Sequence, residues 1–129
     1  QLYIKYLIKH KIKKSSVVNL GSIVGNKGFI DLSGYASTKT ALIGLTKCLA
    51  VEYANRNYRF NIVSPGFIKS SYYNDFKKNK KIYNWTKSKI PMKKWGKTSE
   101  INGLVNFLIS DKSEYLTGQE IFIDGGWTV

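Results

Sequence analysis

Two short strand-like runs flank one long helical segment, and this arrangement constrains the fold of the 129-residue chain more than any other feature. Residues 16–20 form a β-branched apolar run, and residues 59–63 form a second run that ends at Pro65. Between them, residues 33–53 contain few helix breakers and repeat apolar side chains at helical spacing, namely Ala41, Leu42, Leu45, Leu49 and Ala50. This order predicts a βαβ unit with parallel strands and a right-handed crossover.

The rest of the chain extends this α/β pattern. Helical spacing of apolar residues from Leu2 to Ile8 indicates that the chain starts inside a helix. A later helix is predicted to begin with Thr98 as its cap and to bury the face formed by Ile101, Leu104, Val105 and Leu108. A third strand is predicted at residues 119–123, and loops with short helices are expected in residues 67–96. No linker or repeat divides the chain, so we predict a single domain.

The composition is that of a globular protein, with 43% hydrophobic and 22% charged residues. The longest apolar runs, such as residues 104–109, are far shorter than the roughly 20 residues that a membrane helix needs, so no membrane segment is expected. We also expect no targeting signal and a cytoplasmic location. Cys48 is the single cysteine, and its apolar helical neighbours predict a buried structural thiol in a reducing compartment.

The formal net charge of +13 is a property that many nucleic-acid-binding proteins share. However, all of the 21 basic residues except Arg56 and Arg59 are lysines, so the side chain that reads bases in a bidentate manner is nearly absent. The joint abundance of Lys, Asn and Ile is more typical of a compositional bias of the source genome than of a binding surface. We therefore predict that nucleic acid is not a partner.

Tyr35 and Lys39 are four residues apart at the start of the long helix, which places both side chains on one face. A phenol is a poor acid or base at neutral pH, and a neighbouring ammonium favours its ionised form. A tyrosine activated in this way can protonate a carbonyl oxygen or take the proton of an alcohol. Ser22, in the glycine-containing loop after the first strand, can donate a second hydrogen bond to the same oxygen. A tyrosine and a lysine at this spacing are also common on helix surfaces, so the interpretation depends on the surrounding motifs.

Four motifs, in order, resemble those of the short-chain dehydrogenase/reductase family. Residues 18–25 resemble the strand and loop of its catalytic serine, and residues 35–39 resemble its Tyr-x-x-x-Lys motif. Residues 61–66 resemble the strand and Pro-Gly turn beneath the nicotinamide, while residues 116–119 and 124–126 resemble the C-terminal signature. The resemblance covers nearly the whole chain. It implies an α/β fold, the C-terminal part of a Rossmann-like doubly wound parallel sheet with three strands and intervening helices.

The resemblance also implies residue roles in an NAD(P)-dependent oxidoreductase that interconverts a carbonyl and an alcohol. Tyr35 would be the acid/base, Lys39 would activate it and hold the nicotinamide ribose, and Ser22 would polarise the substrate oxygen. The implied cofactor contacts are Tyr35, Lys39, Pro65, Gly66, Ile68 and Ser70. Ser70 stands where the family commonly has threonine, and the hydroxyl is retained. No metal ligand is implied.

In the family, the glycine-rich phosphate-binding turn and the catalytic asparagine precede the position of Gln1. The glycines of the serine loop, Gly21, Gly25 and Gly28, do not have the G-x-G-x-x-G spacing of that turn. We therefore interpret residues 1–129 as a partial domain that lacks the N-terminal cofactor-binding half and expect it to be inactive alone. The resemblance implies NAD or NADP as the cofactor. The choice between the two stays open, because the residues that make it belong to the same missing half.

The expected substrate is a small carbonyl or alcohol compound. Residues 21–25 and 65–68 are most similar to the 3-oxoacyl-acyl-carrier-protein reductase branch, which implies an acyl chain carried by an acidic protein. The position of Trp127 after a double glycine resembles sugar and polyol dehydrogenases, so a sugar or polyol substrate stays open as an alternative. Between the motifs, aromatic residues that can stack on a ring or line an acyl channel are Tyr72, Tyr73, Phe76, Tyr83 and Trp85. The lysines of residues 77–81 would either meet an acidic group or form a solvated face.

A homo-oligomer, either a dimer or a tetramer, is also implied. In the family, the helices that correspond to residues 1–11 and 33–53 pack between subunits. A basic binding or scaffold protein of the same fold is the non-enzymatic alternative. Such a protein would be expected to lose Tyr35 or Lys39, and both are present.

Overall fold

The computed structural model describes residues 2–129 and contains a three-stranded parallel sheet. Its elements are α1 Leu2–Lys9, β1 Ser15–Leu20, α2 Ser33–Tyr53, β2 Tyr58–Pro65, β3 Ile68–Lys69, α3 Tyr73–Lys78, α4 Lys80–Lys89, β4 Gly96–Lys97, α5 Thr98–Ile109 and β5 Glu120–Ile123. Short 3₁₀ helices lie at Ile23–Gly25, Ala54–Arg56 and Asp111–Ser113. Gln1, with which the predicted first helix begins, lies outside the described residues. The three predicted strands and the long helix are confirmed.

The strands of the sheet lie in the order β1-β2-β5, with every pair parallel. Val17 of β1 is opposite Phe60 of β2, and Ile62 of β2 is opposite Glu120 of β5. The central strand β2 is buried along almost its whole length, because strands flank both of its edges and helices cover both of its faces. β1 forms one edge of this sheet.

Helices cover both faces of the sheet, as the predicted doubly wound arrangement requires. On one face, α1 and α2 close a core in which Ile4, Leu7, Ala50 and Phe60 are buried. On the other face lies α5, and the hydroxyl of Ser16 donates to the backbone oxygen of Leu108 over 2.8 Å. The two faces follow from the alternation of side chains along β1 and β2.

The prediction that Cys48 is buried was wrong, because its side chain is exposed. The face of α2 that packs on the sheet contains Thr46 and Ala50, which are 0% and 3% exposed. Thr46 fits there because its hydroxyl accepts from the side chain of Asn19 and donates to the backbone oxygen of Leu42. Cys48 follows Thr46 by two residues, a rotation of about 200° around the helix, and therefore points outward.

Two members of the apolar repeat of α2, Ala41 and Leu45, are exposed. The apolar repeat of this helix is wider than the stripe that the sheet covers. Residues beyond that stripe are left on the outer surface, where nothing in residues 2–129 covers them.

The prediction that Thr98 caps α5 was wrong by one residue. Lys97 is the cap residue, and its backbone N–H donates to the carboxylate of Glu100. Thr98 is the first helical residue. The reason is a second, two-stranded parallel sheet, formed by β3 and β4, which the sequence did not reveal. Strand β4 ends at Lys97, so the helix follows it directly. The expected short helices of residues 67–96 are α3 and α4.

Candidate active site

All seven residues that the sequence predicts for the site line one open cleft of about 440 Å³. They come from three parts of the fold and are Ser22, Tyr35, Lys39, Pro65, Gly66, Ile68 and Ser70. The cleft lies beyond the carboxyl ends of β1 and β2, which is where ligands bind in open parallel sheets. The structure therefore brings together residues up to 48 positions apart.

Ser22 occupies the turn that immediately follows β1. It caps the short helix Ile23–Gly25, and its Oγ accepts a hydrogen bond from the backbone N–H of Val24 over 3.2 Å. Among residues 2–129, no acceptor is paired with the proton of this hydroxyl. Ser22 is thus held as a donor whose proton is free to reach an oxygen in the cleft.

Gly21 and Gly25 allow the Ser22 turn to pack closely against the rest of the fold. A Cβ added at Gly21 would lie 2.4 Å from the hydroxyl oxygen of Ser64, closer than non-bonded atoms approach. A Cβ at Gly25 would lie 3.3 Å from the backbone carbon of Lys39 on α2. The two glycines bring Ser22 close both to β2 and to the helix that carries the other predicted catalytic residues.

Tyr35 and Lys39 lie one turn apart near the start of α2. The Lys39 ammonium donates to the backbone oxygen of Leu20 over 2.9 Å and lies 5.5 Å from the centroid of the Tyr35 ring. Tyr35 is 47% exposed, and its hydroxyl has no hydrogen-bond partner within the described part of the chain. A phenol open to the cleft beside a fixed cation can exchange a proton with a bound substrate.

Pro65 and Gly66 end β2 and form the floor of the cleft. Gly66 donates its backbone N–H to the oxygen of Ile123 over 3.1 Å, and a Cβ at Gly66 would lie 2.7 Å from the Cβ of Asp124. Only glycine fits this contact between two turns. The chain then runs through Ile68 in β3 to Ser70, whose hydroxyl is exposed at the edge of the cleft.

Asp124 holds the C-terminal turn against this floor. Its carboxylate accepts from the backbone N–H groups of Gly126 and Thr128 and from the Thr128 hydroxyl, over 2.7–2.9 Å. Burial raises the pKa of Asp124, but these hydrogen bonds outweigh it and leave the pKa below its usual value. The turn is thus stabilised by an ionised carboxylate that sits beneath Gly66.

A second, apolar pocket of about 230 Å³ adjoins the cleft at Ser22 and Gly66. We call it the apolar pocket, and it is lined by Ser22, Ile23, Val24, Phe29, Leu32, Gly66, Phe67, Phe76, Ile82, Trp85 and Thr86. The hydroxyl of Thr86 is already engaged, because it accepts from the Trp95 indole over 2.9 Å and donates to the backbone oxygen of Tyr83. Of the two side-chain hydroxyls in this lining, only that of Ser22 therefore keeps a free proton.

The predicted aromatic residues divide into two groups. Phe76 and Trp85 line the apolar pocket, and Tyr72 lines the cleft. Tyr73 and Tyr83 pack instead against the buried Trp95 ring, with centroids 5.4 and 5.6 Å away. Their role is to support the segment rather than to contact a ligand.

Four further lining residues of the apolar pocket were not identified from the sequence, namely Phe29, Leu32, Ile82 and Thr86. Phe29 and Leu32 lie in the irregular loop before α2, where no periodicity marks a buried side chain. Ile82 lies on α4 one turn before Thr86. The helical spacing of Ile82, Trp85 and Thr86 was the available signal for this wall.

The lysines of residues 77–81 are exposed. Lys78 pairs with Asp75 over 2.8 Å, and Lys69 and Lys77 lie 5.5 and 5.9 Å from the Tyr73 ring centroid. The hydrogen bond with Tyr83 lowers the pKa of Tyr73, and the two lysines lower it further. These contacts fit the solvated face that was one of the two expectations.

A family model described as enoyl-(acyl carrier protein) reductase matches residues 1–128. The chain belongs to the short-chain dehydrogenase/reductase family. It is 40% identical over 129 residues to 3-oxoacyl-[acyl-carrier-protein] reductase FabG of Thermotoga maritima, which covers all of this chain and 51% of that protein. Carbonyl reductase family member 4 of Xenopus laevis is 42% identical over 111 residues, which cover 86% of this chain and 44% of that protein.

Solved structures of family members superpose closely on the chain. 4-hydroxyisoleucine dehydrogenase complexed with NADH is 36% identical, with a TM-score of 0.91 over 96% of this chain and 51% of that one. Gluconate 5-dehydrogenase of Burkholderia cenocepacia in complex with NADP and tartrate is 26% identical, with a TM-score of 0.89 over 97% of this chain and 48% of that one. The chain thus spans about half the length of the short-chain dehydrogenases/reductases that it matches.

Two further observations concern the kind of site. Within residues 2–129, no group of three or more His, Cys, Asp or Glu side chains is arranged to hold a metal ion. None of the helices in the same range has the length and apolar character needed to cross a membrane.

Proposed function

We propose that the chain is the C-terminal, catalytic half of an NAD(P)-dependent oxidoreductase that interconverts a carbonyl and an alcohol. The observation that carries this proposal is the meeting of Ser22, Tyr35 and Lys39 in one cleft with the Pro65-Gly66 turn. The proposed N-terminal half would supply the phosphate-binding turn. Its strands would continue the sheet from β1, whose outer edge is unpaired within residues 2–129.

The donor set of the cleft fits a nicotinamide riboside. Lys39 supplies an ammonium and Ser70 a hydroxyl, both suited to ribose and carboxamide oxygens. Ile68 would approach the carboxamide through its backbone. NAD or NADP, when bound, supplies or accepts the hydride.

The residues of this chain handle the proton and the substrate oxygen. In the reducing direction, the Tyr35 hydroxyl gives its proton to the carbonyl oxygen while the carbonyl carbon is reduced, and in the oxidising direction it takes the alcohol proton. Lys39 stabilises the tyrosinate that remains after proton donation, because its cation is fixed beside the ring. Ser22 donates a hydrogen bond to the same oxygen and orients it toward Tyr35.

We propose a 3-oxoacyl thioester, presented by an acyl carrier protein, as the substrate. The apolar pocket opens from Ser22, where the reacting oxygen would bind, so it is placed to bury an alkyl chain attached to the carbonyl. Its walls offer few partners for hydroxyl groups, and burying a hydroxyl without a partner is unfavourable. The 40% identity to a 3-oxoacyl-[acyl-carrier-protein] reductase supports the same choice.

A sugar or polyol dehydrogenase is the second candidate. It is favoured by the structural likeness to a gluconate 5-dehydrogenase and by Trp127 after the double glycine. In this chain the Trp127 ring packs against Phe67 and Trp85, at centroid distances of 4.9 and 5.8 Å. Trp127 therefore supports the wall of the apolar pocket, an arrangement that suits an alkyl chain better than a polyol.

We also propose a cytoplasmic homo-oligomer in which α1 and α2 pack between subunits. The outer faces of these helices expose Leu2, Tyr6, Leu45 and Val51, with Leu2 and Val51 more than 80% exposed. Apolar surface of this kind on adjacent helices is typical of an interface. Light scattering of the full-length protein would measure the number of subunits.

The experiment is an assay of a full-length protein that contains this chain. The protein would be given acetoacetyl and longer 3-oxoacyl thioesters with NADH or NADPH. In separate reactions it would be given gluconate and other polyols, with the same cofactors or their oxidised forms. We expect reduction of the thioesters and a loss of at least about 100-fold in Tyr35→Phe. Turnover of polyols alone would favour the second candidate. Activity that Tyr35→Phe does not reduce would contradict the proposed mechanism, and no turnover at all would favour the binding or scaffold alternative.

A further inference from the structure

Glu120, the first residue of β5, accepts two hydrogen bonds on a single carboxylate oxygen. The Ser64 hydroxyl donates to its Oε1 over 2.6 Å, and the Asn26 side-chain amide donates to the same atom over 2.8 Å. Within residues 2–129, Glu120 forms no ion pair. Its carboxylate is therefore held by two donors that come from different parts of the fold, β2 and the end of the Ile23–Gly25 helix.

Each donor lies next to one of the two turns that line the cleft. Ser64 is fully buried and directly precedes Pro65 and Gly66. Asn26 ends the short helix that Ser22 caps, and its backbone N–H donates to the oxygen of Ile23 over 3.1 Å. Glu120 thus joins the turn that carries Ser22 to the strand that carries the cleft floor.

The Ser22 turn has one other side-chain anchor to a neighbouring element. The Thr40 hydroxyl on α2 donates to the backbone oxygen of Gly25 over 2.8 Å. Thr40 fixes the turn relative to the helix that bears Tyr35 and Lys39. Glu120 fixes the opposite connection, to β2 and β5.

We infer that Glu120 is a positioning residue that holds the Ser22 hydroxyl in register with Tyr35 and the Pro65-Gly66 floor. The inference rests on the proposed function, in which Ser22 donates to the substrate oxygen. Hydrogen bonds to a charged acceptor are short and directional, so one carboxylate defines the distance between the two turns. Without it, Asn26 loses its link to β5, and the far end of the Ser22 turn is held from the α2 side alone. The near end stays tied to β2, because the Gly21 N–H donates to the backbone oxygen of Val63 over 2.7 Å.

The test is a double-mutant cycle in the full-length protein. Glu120→Ala is expected to lower kcat about 10-fold, because a donor misplaced by a fraction of an ångström loses much of its effect. Glu120→Gln keeps an oxygen acceptor and is expected to stay within about threefold of the parent. In a Ser22→Ala background, Glu120→Ala is expected to cost less than about twofold, because groups that act through one another are non-additive.

The matched control is Glu114→Ala, which removes a carboxylate that pairs with Lys14 elsewhere on the surface. It is expected to leave kcat unchanged. Equal losses from Glu120→Ala in the parent and in Ser22→Ala would overturn the inference, since they would show a general structural effect. Failure of Glu120→Gln to restore kcat would count against it in the same way.

A second measurement separates this inference from the proposed function. Hydrogen exchange at the backbone amides of Val24 and Asn26 is expected to accelerate in Glu120→Ala and not in Glu114→Ala. Faster exchange without any Tyr35-dependent activity would support the link to the turn while contradicting the proposed function. Unchanged exchange in Glu120→Ala would overturn the inference whatever the activity.

Discussion

The Lys39 ammonium donates to the backbone oxygen of Leu20 over 2.9 Å and thereby ties α2 to the carboxyl end of β1. This bond fixes the long lysine side chain in the cleft, where its cation lies 5.5 Å from the centroid of the Tyr35 ring. A lysine side chain is flexible and is strongly hydrated when free. The hydrogen bond to the Leu20 carbonyl therefore determines the position of the Lys39 ammonium relative to the Tyr35 ring.

Replacing Lys39 by methionine should remove this cation while preserving the length of the side chain. We expect kcat of the full-length protein to fall at least about 100-fold, because proton transfer by the tyrosine loses its electrostatic support. The matched control is Lys47→Met, an exposed position on the same helix, which should retain activity. Circular dichroism should show equal helix content in both variants. Full activity in Lys39→Met would contradict its assignment.

The close approach of Gly21 to β2 predicts a difference between two glycines of one loop. Gly21→Ala would place a Cβ 2.4 Å from the Ser64 oxygen and 2.9 Å from Ile62, whereas Gly28→Ala would meet open space. We expect Gly21→Ala to lower the free energy of unfolding by about 1–3 kcal/mol, the range for overpacked sites. Gly28→Ala should leave it nearly unchanged. Urea denaturation of the two full-length variants measures both, and equal stabilities would show that the contact relaxes without cost.

The low pKa of Asp124 predicts a dependence of stability on pH. Burial raises this pKa, but hydrogen bonds from Thr128 and the Gly126 backbone bring it below the ordinary value of 3.8. A group with a depressed folded pKa stabilises the protein above its unfolded pKa and loses that contribution as the pH falls through the folded value. Asp124→Ala should therefore cost about 1–2 kcal/mol at pH 7, the scale of a hydrogen-bonded charged group, and progressively less below pH 4.

The measurement is the free energy of unfolding of the parent and of Asp124→Ala between pH 3 and pH 7. Asp31→Asn is the control, because Asp31 is an exposed aspartate in a loop and asparagine tolerates its positive φ of 62°. A stability difference that does not shrink with decreasing pH would indicate that packing of the side chain, rather than its charge, stabilises the turn.

The proposed division of the domain predicts weak cofactor binding by residues 1–129 alone. The cleft can contact the nicotinamide end, but the proposed phosphate-binding turn would lie in the other half. Titration with NADH or NADPH, followed by nucleotide fluorescence, should therefore show no tight binding. The full-length protein is the positive control. Micromolar affinity of the isolated chain would refute this prediction.

Much of the fold could be predicted from local patterns. β-branched runs predicted the strands, and the long apolar repeat predicted α2 with the observed bounds Ser33–Tyr53. These strand and helix signals are visible in sequence because backbone propensity and periodicity act over a few neighbouring residues. The site residues were instead implied by the resemblance of four ordered motifs to the short-chain dehydrogenase/reductase family.

The tertiary structure decided the features that depend on which surface covers which residue. Cys48 is exposed because the sheet covers the stripe of α2 that contains Thr46, and the sequence alone shows an apolar helix without saying which side packs. Glu120 lies 94 positions from Asn26, and only the parallel arrangement of β1, β2 and β5 brings them together. The sequence determined the elements and the chemical groups of the cleft. Packing of the sheet determined their distances, because contacts between residues far apart in the chain leave no local periodic signal.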